Sequence, residues 1–163
     1  MKNLSFQSIV IVSGVVLYLI LLGFFREHVF INLNYQISRI YYNNTFDYSL
    51  PDNMRWLESF SYKQLYYLKF PITLLFSCLY LIAAVVITKK FFPGKSNVRL
   101  TVYTYTGVFL LSLLIFLLGL IPGCYLPMYS ISRYVMGFEE SPLLVMVLVL
   151  AFRLNDYFNS IRT

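Results

Sequence analysis

Charge is what this 163-residue chain lacks most. Only 12% of its residues are Asp, Glu, Lys or Arg, while 59% are hydrophobic and the mean hydropathy is +0.69. A typical soluble chain carries roughly 25% charged residues, so a water-soluble monomer does not fit this balance, and the high hydrophobicity excludes intrinsic disorder. Cysteine is scarce as well: Cys78 and Cys124 are the only two, too few for a disulfide scaffold. There is a single histidine, His28, and no P-loop, G-x-G-x-x-G, C-x-x-C or H-E-x-x-H pattern. A conventional nucleotide, zinc or iron–sulfur site is therefore unsupported, and neither a cofactor nor a metal is expected. The net charge of +6 could serve nucleic acid only through a water-facing basic patch, which a chain this apolar does not offer. Membrane lipid is the expected surrounding, and nucleic acid is not an expected partner.

What is present is long uncharged runs. An ionised side chain at the bilayer centre costs at least about 2.5–3.5 kcal/mol on insertion scales, so charges mark where spans stop. Asn3 to Phe25 is uncharged over 23 residues, and about 20 suffice to cross. This run has the outline of a signal peptide, but it ends Leu22-Gly23-Phe24-Phe25-Arg26, with bulky aromatics where a cleavage site needs small side chains. It reads as an uncleaved anchor.

A second run, Phe70 to Thr88, closes on Lys89-Lys90. Its helix should begin earlier, because Ser61 and Gln64 stand in capping-box spacing. Pro71 then falls near the outer end, where its missing N–H is tolerable. The breaker Phe91-Phe92-Pro93-Gly94 ends this span, and a third runs from Leu100 to Ile121 before Pro122-Gly123.

The last segment, Pro142 to Phe152, is uncharged for only 11 residues, too short to cross alone. Either the helix starts near Met128 and carries Arg133, Glu139 and Glu140 into the membrane, or the segment is re-entrant. The long span, 128–153, is favoured, with a kink at Ser141-Pro142 directly after the acids. The expectation is an all-α, polytopic integral membrane protein forming one membrane domain. Its four spans lie near 6–25, 65–88, 100–121 and 128–153, and an outer loop covers 26–64.

Lys2, Lys89, Lys90, Lys95, Arg99, Arg153 and Arg162 fall on one side of this arrangement. Arg26, Arg39, Arg55, Lys63 and Arg133 fall on the other, mostly diluted through the 39-residue loop. The denser side is cytoplasmic by the positive-inside rule, which puts both termini in the cytoplasm. Within the loop Val29, Leu33, Ile37 and Tyr41 recur every four residues, one face of a helix expected to lie on the outer surface. Tyr35, Tyr42, Tyr48, Trp56, Tyr62, Tyr66 and Tyr67 around it make an interfacial aromatic belt, with a substrate lid as the functional alternative. A break is expected at Leu50-Pro51-Asp52-Asn53. Asn43-Asn44-Thr45 fits a glycosylation pattern that carries no assigned function.

Few residues could carry chemistry. Topology places Cys124, His28 and Arg133 near the outer face, the minimum for a thiolate nucleophile with a base and an anion clamp. Cys78, mid-span, should be buried and inert. Arg133, Glu139 and Glu140 are the stronger signal, because an ionisable group inside a membrane is a site hypothesis by default. Arg133 and Glu140, seven apart, share one helix face, and an internal or inter-subunit ion pair competes with a proton or substrate path.

The order of features, FFREHVF after the first span, then KQLYYLKFPITLLFSCLYL, then YxxxRYxMGFEESPLLVMVLVLAF, resembles the small membrane proteins associated with exosortase F. The resemblance covers most of the chain and has Arg133 and Ser141-Pro142 as its fixed points. It implies a bacterial inner-membrane accessory protein beside an exosortase, a multi-span cysteine transpeptidase that sorts envelope proteins, and it transfers no catalytic residue. Exosortases themselves resemble a Cys, Arg, His order, whereas here His28 precedes both cysteines and Arg133.

The expected function is therefore a non-catalytic accessory or assembly subunit, with Arg133, Glu139, Glu140 and Trp56 of the outer loop contacting an exosortase-like membrane partner. The alternatives are a cysteine-dependent transpeptidase or protease using Cys124, His28 and Arg133, and a small ion-coupled transport subunit.

Overall fold

The computed structural model describes residues 6–43, 49–121 and 125–162. Among them there is no strand. The elements are α1 (Phe6–Tyr42), a short 3-10 helix (Asp52–Ser59), α2 (Tyr62–Phe91), α3 (Lys95–Leu118), α4 (Tyr125–Glu139) and α5 (Pro142–Arg162). Three helices, α1, α2 and α3, are long and apolar enough to cross a membrane, and α4 with α5 makes a fourth crossing if the bent pair counts as one. The chain is an all-α, polytopic membrane protein.

The first difference from expectation lies in α1. No proline or glycine stands between Phe24 and Tyr42, and the backbone ladder is indifferent to the charges of Arg26 and Glu27. The expected anchor and the expected outer helix are therefore one rod of 37 residues. At 1.5 Å per residue it runs to about 55 Å, well beyond the roughly 30 Å of a hydrocarbon core. Asn43 follows it with φ 53°, the left-handed conformation that Asn tolerates better than other non-glycine residues.

The chain divides into two compact units, one formed by Leu21–Phe76 and the other by 1–20 with 77–163. In the first, Val29, Leu33 and Ile37 are buried along one face of α1, as their spacing predicts, while Tyr41 in the same row is exposed. Leu50, Met54 and Leu57 around the 3-10 helix and Leu65 of α2 are also buried, so this segment has an apolar core of its own. Gln64 does reach back to cap α2: the Ser61 backbone N–H donates to Gln64 Oε1 at 2.9 Å, and the Ser61 hydroxyl donates to the same oxygen at 3.0 Å. An Arg39–Glu58 ion pair at 3.7 Å is half-exposed and adds little. Tyr41, Tyr62, Tyr66 and Phe70 form a chain of ring contacts, with Lys69 Nζ 5.8 Å from the centre of the Tyr66 ring.

In the second unit the turn between α2 and α3 is tighter than expected. Only Phe92, Pro93 and Gly94 separate the helices, so Lys89, Lys90, Lys95 and Arg99 sit on helix ends rather than in an 11-residue loop. Gly94 caps α3 in extended conformation, the Asn97 amide donates to the Phe92 carbonyl, and the Thr88 and Thr101 hydroxyls join at 3.0 Å in a fully buried contact. The buried face of α2 includes Tyr80, Ala83, Ala84 and Ile87, two of them small enough for close helix approach. On α5 it is Leu144, Val145, Leu148 and Phe152, the last ring 5.3 Å from Phe92. Cys78 is exposed, not buried as the sequence suggested, because the buried face of α2 at that level is taken by Ser77 and Tyr80.

Burial separates residues that share one sequence pattern. Leu33→Ala is expected to cost about 2–5 kcal/mol and Tyr41→Ala, which loses an exposed ring contact with Tyr62, no more than about 1.5 kcal/mol. Denaturant unfolding of both variants in detergent, followed by circular dichroism, measures the difference.

Candidate functional site at the break between the fourth and fifth helices

Helix α3 is followed closely by α4, and a short connection makes them antiparallel neighbours. Their register is fixed by two serines. The Ser112 hydroxyl donates to the Ser132 carbonyl at 3.0 Å, the Ser132 hydroxyl donates to the Ser112 carbonyl at 2.9 Å, and the two hydroxyl oxygens lie 3.0 Å apart. Both serines are buried. Polar contacts of this type hold helices together where lipid offers no hydrophobic drive. Four residues on along α3 and three back along α4, the Phe116 and Tyr129 rings meet at 6.5 Å, in the same register.

Two turns in the other direction, the register sets Tyr105 of α3 opposite Glu139 of α4, and the two groups interact electrostatically. Glu139 is 2% exposed and Glu140 3%. The Ser77 hydroxyl donates to Glu140 Oε1 at 3.2 Å and also lies within hydrogen-bonding reach of Glu139. Ser77 is the sixteenth of the 30 residues of α2, so these carboxylates lie level with the middle of that helix. Tyr80, one turn further along α2, and Tyr105 are fully buried beside them. In this cluster Glu139 Oε2 and the Tyr105 hydroxyl have no hydrogen-bond partner among the described residues.

The chain breaks at this point for a local reason. Proline removes an N–H and disfavours helical backbone in the residue before it. Pro142 therefore forces Ser141 out of α4 and opens α5 as its first residue, where proline is well placed. The Glu140 N–H makes the last bond back to the Met136 carbonyl at 2.9 Å, and the Ser141 hydroxyl donates to the Phe138 carbonyl at 2.7 Å. The two helices meet at 58°. The kink falls where the sequence puts it, but as a full break between two helices.

The other expected site residues divide between the two compact units. Arg133 is exposed and makes no ion pair with a described residue, so it is not the internal partner of Glu140. Beside it Ile131 and Tyr134 are exposed, the latter to 81%. Glu139 and Glu140 are buried rather than exposed on the outward face of α4. Trp56 is exposed on the 3-10 helix, its indole N–H donating to the Asn53 carbonyl at 3.1 Å. His28, in the other compact unit, is half-buried, and its carbonyl accepts a hydrogen bond from the Asn32 amide. Cys124 lies outside the described residues. No group of three or more His, Cys, Asp and Glu side chains that could hold a metal occurs among the described residues.

Ser77, Tyr105 and the serine pair were not singled out by sequence reasoning. Their signal is a shared seven-residue interval, Tyr105 to Ser112 and Ser132 to Glu139, which acquires meaning only once the two segments are known to pair.

No family model, curated protein or solved structure matches the chain.

A double-mutant cycle on Ser112→Ala and Ser132→Ala is expected to give a favourable coupling of about 0.6 kcal/mol, up to about 1.7. Unfolding of the four proteins in mixed micelles measures it.

Proposed function

We propose that this chain is a non-catalytic subunit of a membrane complex, which binds a second membrane protein through the outward face of α4. The observation that carries the proposal is Arg133: an exposed guanidinium on an apolar helix pair, between exposed Ile131 and Tyr134, with no described acid in its own chain to pair with. It lies about 10 Å along the helix from the level of Glu140. A cation held at that depth is favoured by a carboxylate or carbonyl supplied from outside, and polar contacts across helices are the usual glue of membrane assemblies. Exposed aromatic and Arg side chains are also the types that dominate binding energy at interfaces.

The order of features along the sequence supports an exosortase-type transpeptidase as the partner. It also supports the inner membrane of a bacterium as the location, with both termini and the Lys89–Arg99 turn on the cytoplasmic side. Trp56 belongs to the opposite side in this arrangement and is available to a partner's outer surface.

Purification of the tagged protein from its native membrane in mild detergent, with mass spectrometry of what remains bound, tests the proposal. The expected result is an exosortase-type protein retained by the wild type, reduced at least about tenfold in Arg133→Ala and largely restored in Arg133→Lys, with all three chains equally helical. A chain that emerges alone, or an Arg133→Ala variant that keeps its full complement, would overturn it.

A further inference from the structure

Two glutamates buried level with the middle of a membrane helix raise a question of charge balance. Every basic residue of their unit whose side chain is described, Lys89, Lys90, Lys95, Arg99, Arg133 and Arg153, is exposed. The buried titratable groups of that unit with described side chains are Glu139, Glu140, Tyr80 and Tyr105. The carbonyl end of α4, which terminates at Glu139, adds partial negative charge at the same place.

The donor set is uniform. Glu139, Glu140, Ser77 and Tyr105 offer only oxygen, which suits a hard cation and not a soft metal. Two of those atoms, Glu139 Oε2 and the Tyr105 hydroxyl, belong to residues 2% and 1% exposed and have no hydrogen-bond partner among the described residues. Four side chains are fewer than the six to eight oxygens that Ca²⁺ takes, whereas a monovalent ion needs less charge and fewer ligands. Unwound backbone and half-helix C-terminal ends are the structures that hold Na⁺ at mid-membrane in proteins with discontinuous helices.

We propose that the break between α4 and α5 binds one Na⁺-sized alkali cation, held by Glu139 and Glu140 with the Ser77 and Tyr105 hydroxyls. Na⁺ with one proton neutralises the carboxylate pair and engages Glu139 Oε2 and the Tyr105 hydroxyl, which have no hydrogen-bond partner among the described residues. The site is independent of the partner surface at Arg133, which faces outward.

The test is thermal unfolding of the purified full chain in detergent, in NaCl against choline chloride at equal ionic strength, at acid, neutral and alkaline pH, with direct binding of radioactive Na⁺ alongside. The expected result is a saturable rise in Tm with Na⁺ that choline does not give. Glu139→Gln should abolish it, and Tyr105→Phe should raise the midpoint concentration about tenfold. Tyr105→Phe removes a single oxygen and keeps the proposal testable should Glu139→Gln fail to fold. Identical stability in Na⁺ and choline at every pH, with no Na⁺ bound, would mean that protons alone neutralise the pair and would overturn the site. A Tyr105→Phe variant that binds Na⁺ as the wild type does would overturn it as well.

Discussion

The reciprocal hydrogen bonds of Ser112 and Ser132 are the constraint on which the polar interior depends. Each hydroxyl satisfies the other helix's carbonyl, so the pair tolerates no slippage: a shift of one residue would rotate both hydroxyls off the interface and leave them unpaired in an apolar setting. A fixed register at one level fixes it two turns away, because residues seven apart share a helix face. Tyr105 meets Glu139 as a consequence of the serines, and Glu140 follows in sequence to meet Ser77 of α2. The carboxylates are thus positioned by packing at a distance, and their own interactions need only suffice to keep them there.

Pro142 is the second half of the arrangement. Had α4 continued unbroken, consecutive glutamates would lie about 100° apart around its axis, and one of them would face outward. The helix ends at Glu139, and both glutamate side chains are buried at adjacent positions. The 58° bend then redirects the chain, and α5 turns Leu144, Val145 and Leu148 inward. One proline therefore ends the helix directly after the two buried acids and opens the next one with an apolar inward face.

Much of this was legible in the sequence wherever a local rule decides the outcome. Uncharged length pointed to the long apolar helices, Ser61 and Gln64 to the start of α2, Ser141-Pro142 to the position of the break, and the four-residue spacing of Val29, Leu33 and Ile37 to the buried side of α1. What was not legible depends on tertiary context. Arg26 and Glu27 suggested an end to the first helix, yet a helix has no need to stop at a charge once it can leave the hydrocarbon. The basic cluster from Lys89 to Arg99 suggested a loop, although Gly94 closes the turn in three residues and leaves the charges on helix ends, Lys89 and Lys90 where they complement the carbonyl end of α2. Cys78 differs from Ser77 by one position, and only the packing of α2 decides which of the two faces inward. The burial of Glu139 and Glu140 required knowing that α3 pairs with α4, and in what register.

The opposite fates of Arg133 and the two glutamates have a common physical origin in side-chain length. A guanidinium on a long aliphatic stem can stand on the outer surface of a membrane helix, stretch toward the interface and keep its charge solvated or paired there. A glutamate two turns deeper has no such reach. Its carboxylate must be satisfied within a few ångströms of its own backbone, which at mid-helix means inside the bundle, among hydroxyls contributed by neighbouring helices. Sequence position alone put all three ions in one segment, and depth and stem length sort them. The cation faces out, available to whatever surrounds the bundle, and the anions face in, where only a proton or a small cation can follow.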